Sequence, residues 1–227
     1  MTGRSLARRV LWTVRRFPEH TRRLRVSLGY YRGPLLASRL RKWWVLARNP
    51  QGNIRFGPHT YLGPGFSLHM PHGGSFITGE HVEFRRNFRA ELGGPEARIQ
   101  IGTASVCTYD VLIQCGTTIE IGERCMFGQS TLVVDGNHRF RELDRPMLEQ
   151  GYDFRPIRIS DDATITTKCT IIADVGTRAF VGANSVVTRP VPPYTVAAGL
   201  PARPIDYFGP PGLEPSELSA SNSERSS

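Results

Sequence analysis

Aliphatic residues recur every six positions through much of the chain, and this spacing constrains the fold more than any other feature. A period of six fits neither the 3.6-residue repeat of a helix nor the two-residue repeat of a long strand. Glycine often follows the periodic residue, as in Ile101-Gly102 and Val181-Gly182. The periodic positions form three runs: Ile101, Cys107, Ile113 and Ile119; Ile121, Phe127 and Val133; and Ile159, Ile165 and Ile171, with Val181 and Val187 after a break.

This period predicts an all-β fold, a parallel β-helix of short strands joined by tight corners. The aliphatic residue fills the interior, a small residue four positions later lies just before the next corner, and glycine or a short polar residue makes the turn. Three units complete a triangular coil of about 18 residues, and stacked coils bury a continuous apolar column. The stretch 52–98 is expected to add irregular coils. The small residues are Ser105, Cys125, Thr131, Ala163, Cys169 and Ser185.

Basic residues are concentrated near the N terminus. Residues 1–48 contain thirteen Arg or Lys and one acid, Glu19, whereas the whole chain of 227 residues has a formal net charge of +9. We therefore divide the chain into a basic arm (1–50), a β-helix domain (51–208) with a loop at 139–156, and a Pro- and Ser-rich tail (209–227) that is expected to be disordered.

Two stretches of the arm have helical periodicity, at residues 4–17 and 35–47. The second places apolar side chains on one stripe beside basic ones. Three interpretations of these helices remain open: the stripe packs on the body, the helices lie on anionic lipid, or the arm binds nucleic acid. We expect no nucleic-acid partner, because no recognised reading motif accompanies the charge. The stripe consists of Leu36, Leu40, Trp43 or Trp44, and Ala47, beside Arg39, Arg41 and Lys42.

Composition argues against two other classes of protein. Uncharged apolar runs fall well short of the roughly 20 residues that cross a bilayer, and arginines interrupt the place where a secretory signal would have its apolar core. The cysteines Cys107, Cys115, Cys125 and Cys169 have no CxxC spacing, so they are expected to be reduced, buried thiols of a cytoplasmic protein.

Three stretches resemble a known family. They are IGERCMFGQSTLVVDGNHRF at 121–140, FRPIRISDDATITTKCTIIADVG at 154–176 and VGANSVVTRPVPPYTVAAGLPARPI at 181–205. Their order, with a polar loop between the first two, resembles the hexapeptide-repeat acyltransferases, which include maltose, galactoside and polysaccharide O-acetyltransferases. The resemblance implies a left-handed β-helix and a homotrimer in which each active-site cleft is built from two subunits.

The resemblance also implies that His138 is a general base, and the chemistry of the residue agrees. A hydroxyl that attacks a thioester must lose its proton, and imidazole accepts protons near neutral pH. His138 lies where the repeat stops, just after Asp135 and Asn137 and at the start of the loop. Asp135 is a candidate to orient the imidazole through its other nitrogen. Structural roles are expected for His59, His69, His72 and His81.

The acyl donor implied by the resemblance is an acyl coenzyme A, expected to be acetyl-CoA, in a groove between two β-helices. By position, the match for the donor site falls on Thr167, Ala183 and Thr188, with Arg189 and Arg203 suited to its phosphates. The chain departs from the family pattern at corners near this groove, namely at Ser160, Thr164 and Thr166 and in the shorter segment 173–182.

The sequence therefore predicts transfer of an acetyl group to a sugar hydroxyl in surface polysaccharide or glycolipid biosynthesis, with the arm at the cytoplasmic leaflet. Two alternatives remain. GNHR at 136–139 resembles enzymes that acetylate chloramphenicol or streptogramin antibiotics, and a non-catalytic trimeric scaffold would have the same coils. We expect no metal, because the carbonic anhydrases on this coil use three histidines and no second histidine stands near His138 in the sequence.

Overall fold

The computed structural model describes residues 33–216 and Leu218. The helix predicted over 4–17 and most of the tail at 209–227 lie outside these residues. The helix predicted over 35–47 is present as α1 (Gly33–Arg48). No helix in the described part of the chain is long and apolar enough to cross a membrane.

Short strands follow α1 and form three parallel faces, with at most one strand of each coil on each face. Face A consists of β1 (Asn53–Arg55), β4 (Ser75–Thr78), β7 (Arg98–Ile101), β10 (Thr118–Ile121) and β15 (Ile157–Ile159). Face B consists of β2 (Tyr61–Leu62), β5 (Glu83–Phe84), β8 (Val106–Cys107), β11 (Met126–Phe127), β16 (Thr164–Ile165), β18 (Phe180–Val181) and β20 (Thr195–Gly199). Face C consists of β3 (Ser67–His69), β6 (Arg89–Leu92), β9 (Leu112–Cys115), β12 (Leu132–Val134), β17 (Thr170–Ile171) and β19 (Val186–Val187). The last strand, β21 (Ala202–Tyr207), turns back antiparallel to β20.

The strand register stacks each periodic residue on its equivalent one coil away, as the six-residue period predicts. Cys107 pairs with Phe127, and Ile113 pairs with Val133. The coils are not all of one length, because Ile165 pairs with Val181 only one short coil later. The segment 173–182 accounts for this shortening: face A is there reduced to the isolated bridge of Val175 to Ile159.

The interior is the apolar column that the period predicts. Every aliphatic residue of the three runs is buried, and so are the small residues. In the first coils the column is filled by an aromatic cluster of Phe66, Phe76, Phe84 and Phe88, whose ring centroids lie 4.4–6.3 Å apart. The stretch 52–98 therefore does form coils, and a larger side-chain volume fills them.

The corners differ from the prediction in two respects. The residue that turns the chain has positive φ and is in places the short polar residue that was predicted, as at Asp110 (58°), but elsewhere it is apolar or long, as at Ala104 (58°) and Arg124 (53°). Glycine at the corner is required for close stacking instead, since a Cβ on Gly102 would lie 2.5 Å from the carbonyl carbon of Gly122 in the next coil. The small residue follows the turn directly, as Ser105 does, rather than preceding the next turn.

The orientation of α1 contradicts one of the three interpretations of the arm, in which the apolar stripe packs on the body. The helix buries Ser38 and Val45, and it leaves Leu36, Leu40 and both tryptophans largely exposed. The stripe exists, but it faces away from the coils.

Candidate active site

A hairpin leaves the β-helix at the corner between faces C and A. It consists of β13 (Gly136–His138) and β14 (Tyr152–Phe154), which pair antiparallel with His138 opposite Tyr152. The connecting loop contains a 3₁₀ turn at Met147–Glu149. Gln150, which is buried, holds the loop by donating from Nε2 to the carbonyl oxygens of Glu142 (2.9 Å) and Arg145 (2.8 Å). The loop at 139–156 is therefore an ordered projection.

His138 is exposed at the end of β13, and aromatic rings support it from one side. Its imidazole lies 4.2 Å from the Tyr152 ring between centroids, at an interplanar angle of 40°. Tyr152 in turn stacks on Phe154 at 5.5 Å. Phe154 occupies space left by two glycines, because a Cβ on Gly116 or Gly136 would lie 2.0 or 2.4 Å from its ring. The imidazole is thus carried on an aromatic stack that is seated against the coils.

Asp135 does not contact His138 in the way that the sequence suggested. Its buried carboxylate accepts hydrogen bonds from the backbone N–H of Gly116 (2.7 Å) and from the N–H and hydroxyl of Thr117 (2.8 and 2.9 Å). Its backbone oxygen accepts from the N–H of Arg155 (2.7 Å). Asp135 therefore ties both ends of the hairpin to the preceding coil and positions His138 from a distance.

His138 and its neighbours in the hairpin line one side of an open cleft of about 560 Å³. Its floor is a row of outward-facing polar residues on face C, where His69 pairs with Glu91 and Glu91 pairs with Gln114. The Gln114 amide donates to the Glu91 carboxylate at 2.8 Å. The remaining lining comes from Pro71, His72, Leu92, Gly93, Cys115, Gly116, Val134, Asp135, Gly136, Tyr152 and Phe154.

Sequence reasoning missed this floor. His69 and His72 were expected to be structural, yet both line the cleft. Glu91 and Gln114 were not predicted to be functional. The signal was present in the six-residue period, since these residues occupy outward positions beside buried ones on strands that stack beneath His138. Asn137, which the sequence placed with His138, is exposed on β13 opposite Asp153 and is absent from the cleft lining.

The sequence is similar to those of curated acetyltransferases. "Probable acetyltransferase Rv3034c" of Mycobacterium tuberculosis is 27% identical over 71% of this chain and 55% of its own length. The galactoside O-acetyltransferase of Escherichia coli is 32% identical over 48% of this chain and 54% of its own length. The chain thus spans about half the length of these curated relatives. No family model matches the sequence.

Among solved structures, a mutant of AntD, an N-acyltransferase from Bacillus cereus in complex with dTDP and coenzyme A, covers 79% of this chain and 94% of its own. The TM-score is 0.60 at 16% identity, so the likeness is one of fold, a left-handed parallel β-helix. Both curated relatives are named acetyltransferases, and AntD is named an N-acyltransferase.

Within this hexapeptide-repeat fold, the residues matched to the donor site fall on two edges of the prism. Thr167 and Ala183 lie in successive coils at the corner between faces B and C, where the Thr167 carbonyl accepts from the N–H of Asn184 (3.0 Å). Thr188 and Arg189 lie at the corner between faces C and A, the same corner from which the hairpin projects. Arg203 is exposed on β21 beside Ala198. One protomer does not bring all five together on one edge.

The departures from the hexapeptide-repeat pattern are accommodated without breaking the coils. Ser160 donates its N–H to the carbonyl of Val175 (2.8 Å), and Thr166 donates its hydroxyl to the carbonyl of Val181 (2.7 Å). Thr164 pairs in register with Met126. These corners retain the hydrogen bonds that the stack requires.

One buried thiol, that of Cys115, lines the cleft, but its ionisation is suppressed. Burial raises the pKa of the Cys115 thiol to about 12, with a further contribution from the neighbouring Asp135 carboxylate. All four cysteines are buried and free. A neutral thiol is a poor nucleophile, so Cys115 is not suited to carry an acyl group near neutral pH. In the described part of the chain, no group of three His, Cys, Asp or Glu side chains is arranged to hold a metal.

Proposed function

We propose that the protein is an acyl-CoA-dependent O-acyltransferase that uses acetyl-CoA and a sugar hydroxyl, with His138 as general base. The observation that carries the proposal is an exposed imidazole held over a polar cleft on a fold whose relatives are acetyltransferases. The role in surface polysaccharide or glycolipid biosynthesis belongs to the same proposal.

The reaction needs no enzyme nucleophile, because a thioester is already activated. The acceptor oxygen attacks the thioester carbonyl carbon while His138 takes the hydroxyl proton. The tetrahedral adduct then expels the coenzyme A sulfur, and the imidazolium returns the proton to it. The exposed position of His138 leaves its ring free to meet both substrates, while the Tyr152 stack limits its rotation. General-base catalysis of this kind contributes about 10²–10⁴-fold.

A sugar fits the chemistry of the cleft better than an apolar antibiotic. Glu91 and Gln114 offer a carboxylate and an amide for several hydroxyl groups, and the aromatic rings of Tyr152 and Phe154 offer an apolar face. Sugars present both kinds of surface. An apolar antibiotic would displace water from the carboxylate of Glu91 and offer it no hydrogen bond beyond that from the Gln114 amide, which is unfavourable.

Donor binding is proposed to require a homotrimer. Thr167 and Ala183 lie on a different edge of the prism from His138, Thr188 and Arg189. Two neighbouring protomers can bring these edges together, so that coenzyme A lies between them with Arg189 and Arg203 available to its phosphates.

Thiol release from acetyl-CoA, measured with a panel of galactosides, sugar nucleotides, serine and chloramphenicol, tests the proposal. We expect turnover with a sugar and a loss of about 10²–10⁴-fold in His138→Ala. The matched control is His59→Asn at the corner between faces A and B, remote from the cleft, where asparagine tolerates the positive φ of 57°.

Other outcomes would contradict the proposal. Turnover confined to chloramphenicol would favour the antibiotic-modifying alternative. Absence of acetyl-CoA binding by calorimetry, in a protein whose melting curve shows it to be folded, would favour a scaffold. Full activity in His138→Ala would exclude the assigned base.

A further inference from the structure

The helix α1 packs its more polar side against the coils and exposes its apolar side. It turns Ser38, Arg41, Lys42 and Val45 towards the coils. Its large apolar residues face outwards, with Leu40 70% and Trp43 67% exposed. The other exposed apolar residues of this face are Leu35, Leu36, Trp44 and Leu46. We call these six side chains the outer face of α1.

The backbone of the first coil explains why the polar side turns inwards. β2 is the edge strand of face B, and an edge strand leaves N–H and C=O groups without strand partners. The Ser38 hydroxyl accepts from the N–H of Leu62 (2.8 Å), and the Arg41 guanidinium donates to the Leu62 carbonyl. The Lys42 ammonium lies 5.9 Å from the centroid of the Phe56 ring. The polar residues of α1 therefore cap the sheet, and the outer face remains available.

The chemistry around the outer face selects an anionic lipid surface as its occupant. Residues 33–48 contain no acid, and Arg39 and Arg48 are exposed beside the apolar side chains. The Arg48 guanidinium lies 5.7 Å from the centroid of the Trp44 ring. Tryptophan, leucine and arginine on one helix face are typical of helices that lie in the interface of anionic membranes.

Charge disfavours the two occupants that this chain could itself supply. Two copies of the outer face in contact would bring Arg39 and Arg48 against each other without an acid between them. The sequence before α1 carries further arginines and one acid, Glu19, so it offers almost no charge complementary to Arg39 and Arg48.

The outer face also lies next to the cleft. Trp44 and Arg48 line a cavity of about 270 Å³ whose other walls include His69 and Pro71. The same two residues, His69 and Pro71, line the cleft under His138. We infer that α1 docks the protein onto an anionic membrane surface through its outer face, with the cleft opening beside that surface. The placement of the cleft rests on the proposed function, whereas the docking does not.

Vesicle co-sedimentation of the full chain tests the docking. We expect binding to vesicles of equal parts phosphatidylglycerol and phosphatidylcholine, and weak binding to phosphatidylcholine alone. The double variant Leu40→Ser/Trp43→Ser is expected to bind at least about tenfold more weakly, because it removes apolar area from the interface. Leu213→Ser is the matched control, since Leu213 is 68% exposed and lies outside the helix and the cleft. Both variants keep the charge of the arm. A loss of vesicle binding in the double variant but not in Leu213→Ser therefore identifies the outer face as the membrane-binding surface.

Three results would overturn the inference. The double variant could bind phosphatidylglycerol vesicles as well as the full chain does, which would assign binding to the arginines alone. Equal binding to both kinds of vesicle would exclude anionic recognition. The double variant could bind vesicles as the full chain does but show a lower molecular mass in sedimentation, which would mean that another copy of the chain covers the outer face. The measurement uses no acyl donor or acceptor, so it is independent of the proposed activity.

Discussion

Replacing Asp135 with asparagine tests what holds the hairpin that carries His138. The asparagine keeps one side-chain oxygen, which can still accept from Thr117. In the native protein the N–H of Gly116 donates to the Asp135 carboxylate at 2.7 Å. In the variant this N–H faces the NH₂ group of the asparagine instead. This backbone N–H loses its acceptor, and the remaining hydrogen bonds lose their ionic character.

The expected cost can be worked from these contacts. A backbone N–H left without an acceptor away from solvent costs about 1–3 kcal/mol. Gly116 is only half-buried, and the lost charge weakens the bonds to Thr117, so we expect the free energy of unfolding to fall by about 2 kcal/mol. For a chain of this size that lowers Tm by roughly 4–8 °C.

Activity should fall as well, because His138 lies on the strand that begins just after Asp135. Displacement of a catalytic group by about 1 Å can cost 10²-fold in rate, so we expect kcat to fall roughly ten- to a hundredfold. The loss of activity should accompany the loss of stability, because Asp135 acts by holding the hairpin and makes no hydrogen bond to the imidazole. Differential scanning calorimetry and thiol release measure the two effects.

Asp153→Asn is the matched control in the same hairpin. Its carboxylate is 71% exposed and pairs with Arg139 at 2.6 Å, and such a surface pair contributes about 0–1 kcal/mol. The reasoning would be refuted if Asp135→Asn melted like Asp153→Asn but still lost its activity. That result would mean that Asp135 acts on the imidazole directly.

Three further predictions concern the surroundings of His138. Tyr152→Phe keeps the ring beside the imidazole and should retain activity, whereas Tyr152→Ala should lower kcat/KM about tenfold in the thiol-release assay. Gly136→Ala would place a Cβ 2.4 Å from the Phe154 ring, so the free energy of unfolding should fall by about 1–3 kcal/mol in a urea titration. The raised pKa of Cys115, about 12 against an ordinary 9.0, predicts resistance to iodoacetamide at about pH 8 until urea unfolds the chain. Because the unfolded thiol ionises first, stability should decrease as the pH rises through about 9 towards 12, which thermal melts would detect.

The stacked coils could be predicted from the sequence because the period determines both the interior and the corners. Ile113 and Val133 share a position in the repeat, and they pair in the structure. The lengths of individual coils were less accessible. Nothing in the period required that face A be reduced to the isolated bridges of Val175 to Ile159 and Val191, because a coil can lose corner residues and still keep its buried positions.

The candidate site was predictable only in part. His138 could be located because the repeat stops beside it, but the contacts of Asp135 depend on which corner the carboxylate reaches. The row of Glu91 and Gln114 depends on the strand register, which brings residues from separate coils side by side. Sequence distance hides such a row, since each member stands alone in its own six-residue unit.

The reversed packing of α1 has a physical origin that helical periodicity does not express. Periodicity identifies the residues that share a face, whereas the surface beneath the helix decides which face turns inwards. Here that surface includes the N–H and C=O groups of Leu62, which have no strand partner and bond instead to Ser38 and Arg41. Under apolar side chains these two groups would lose their partners, at about 1–3 kcal/mol each. A helix that caps a sheet edge therefore turns its hydrogen-bonding side inwards. An exposed apolar face beside arginines is the consequence, and this is the face that we propose to dock on anionic lipid.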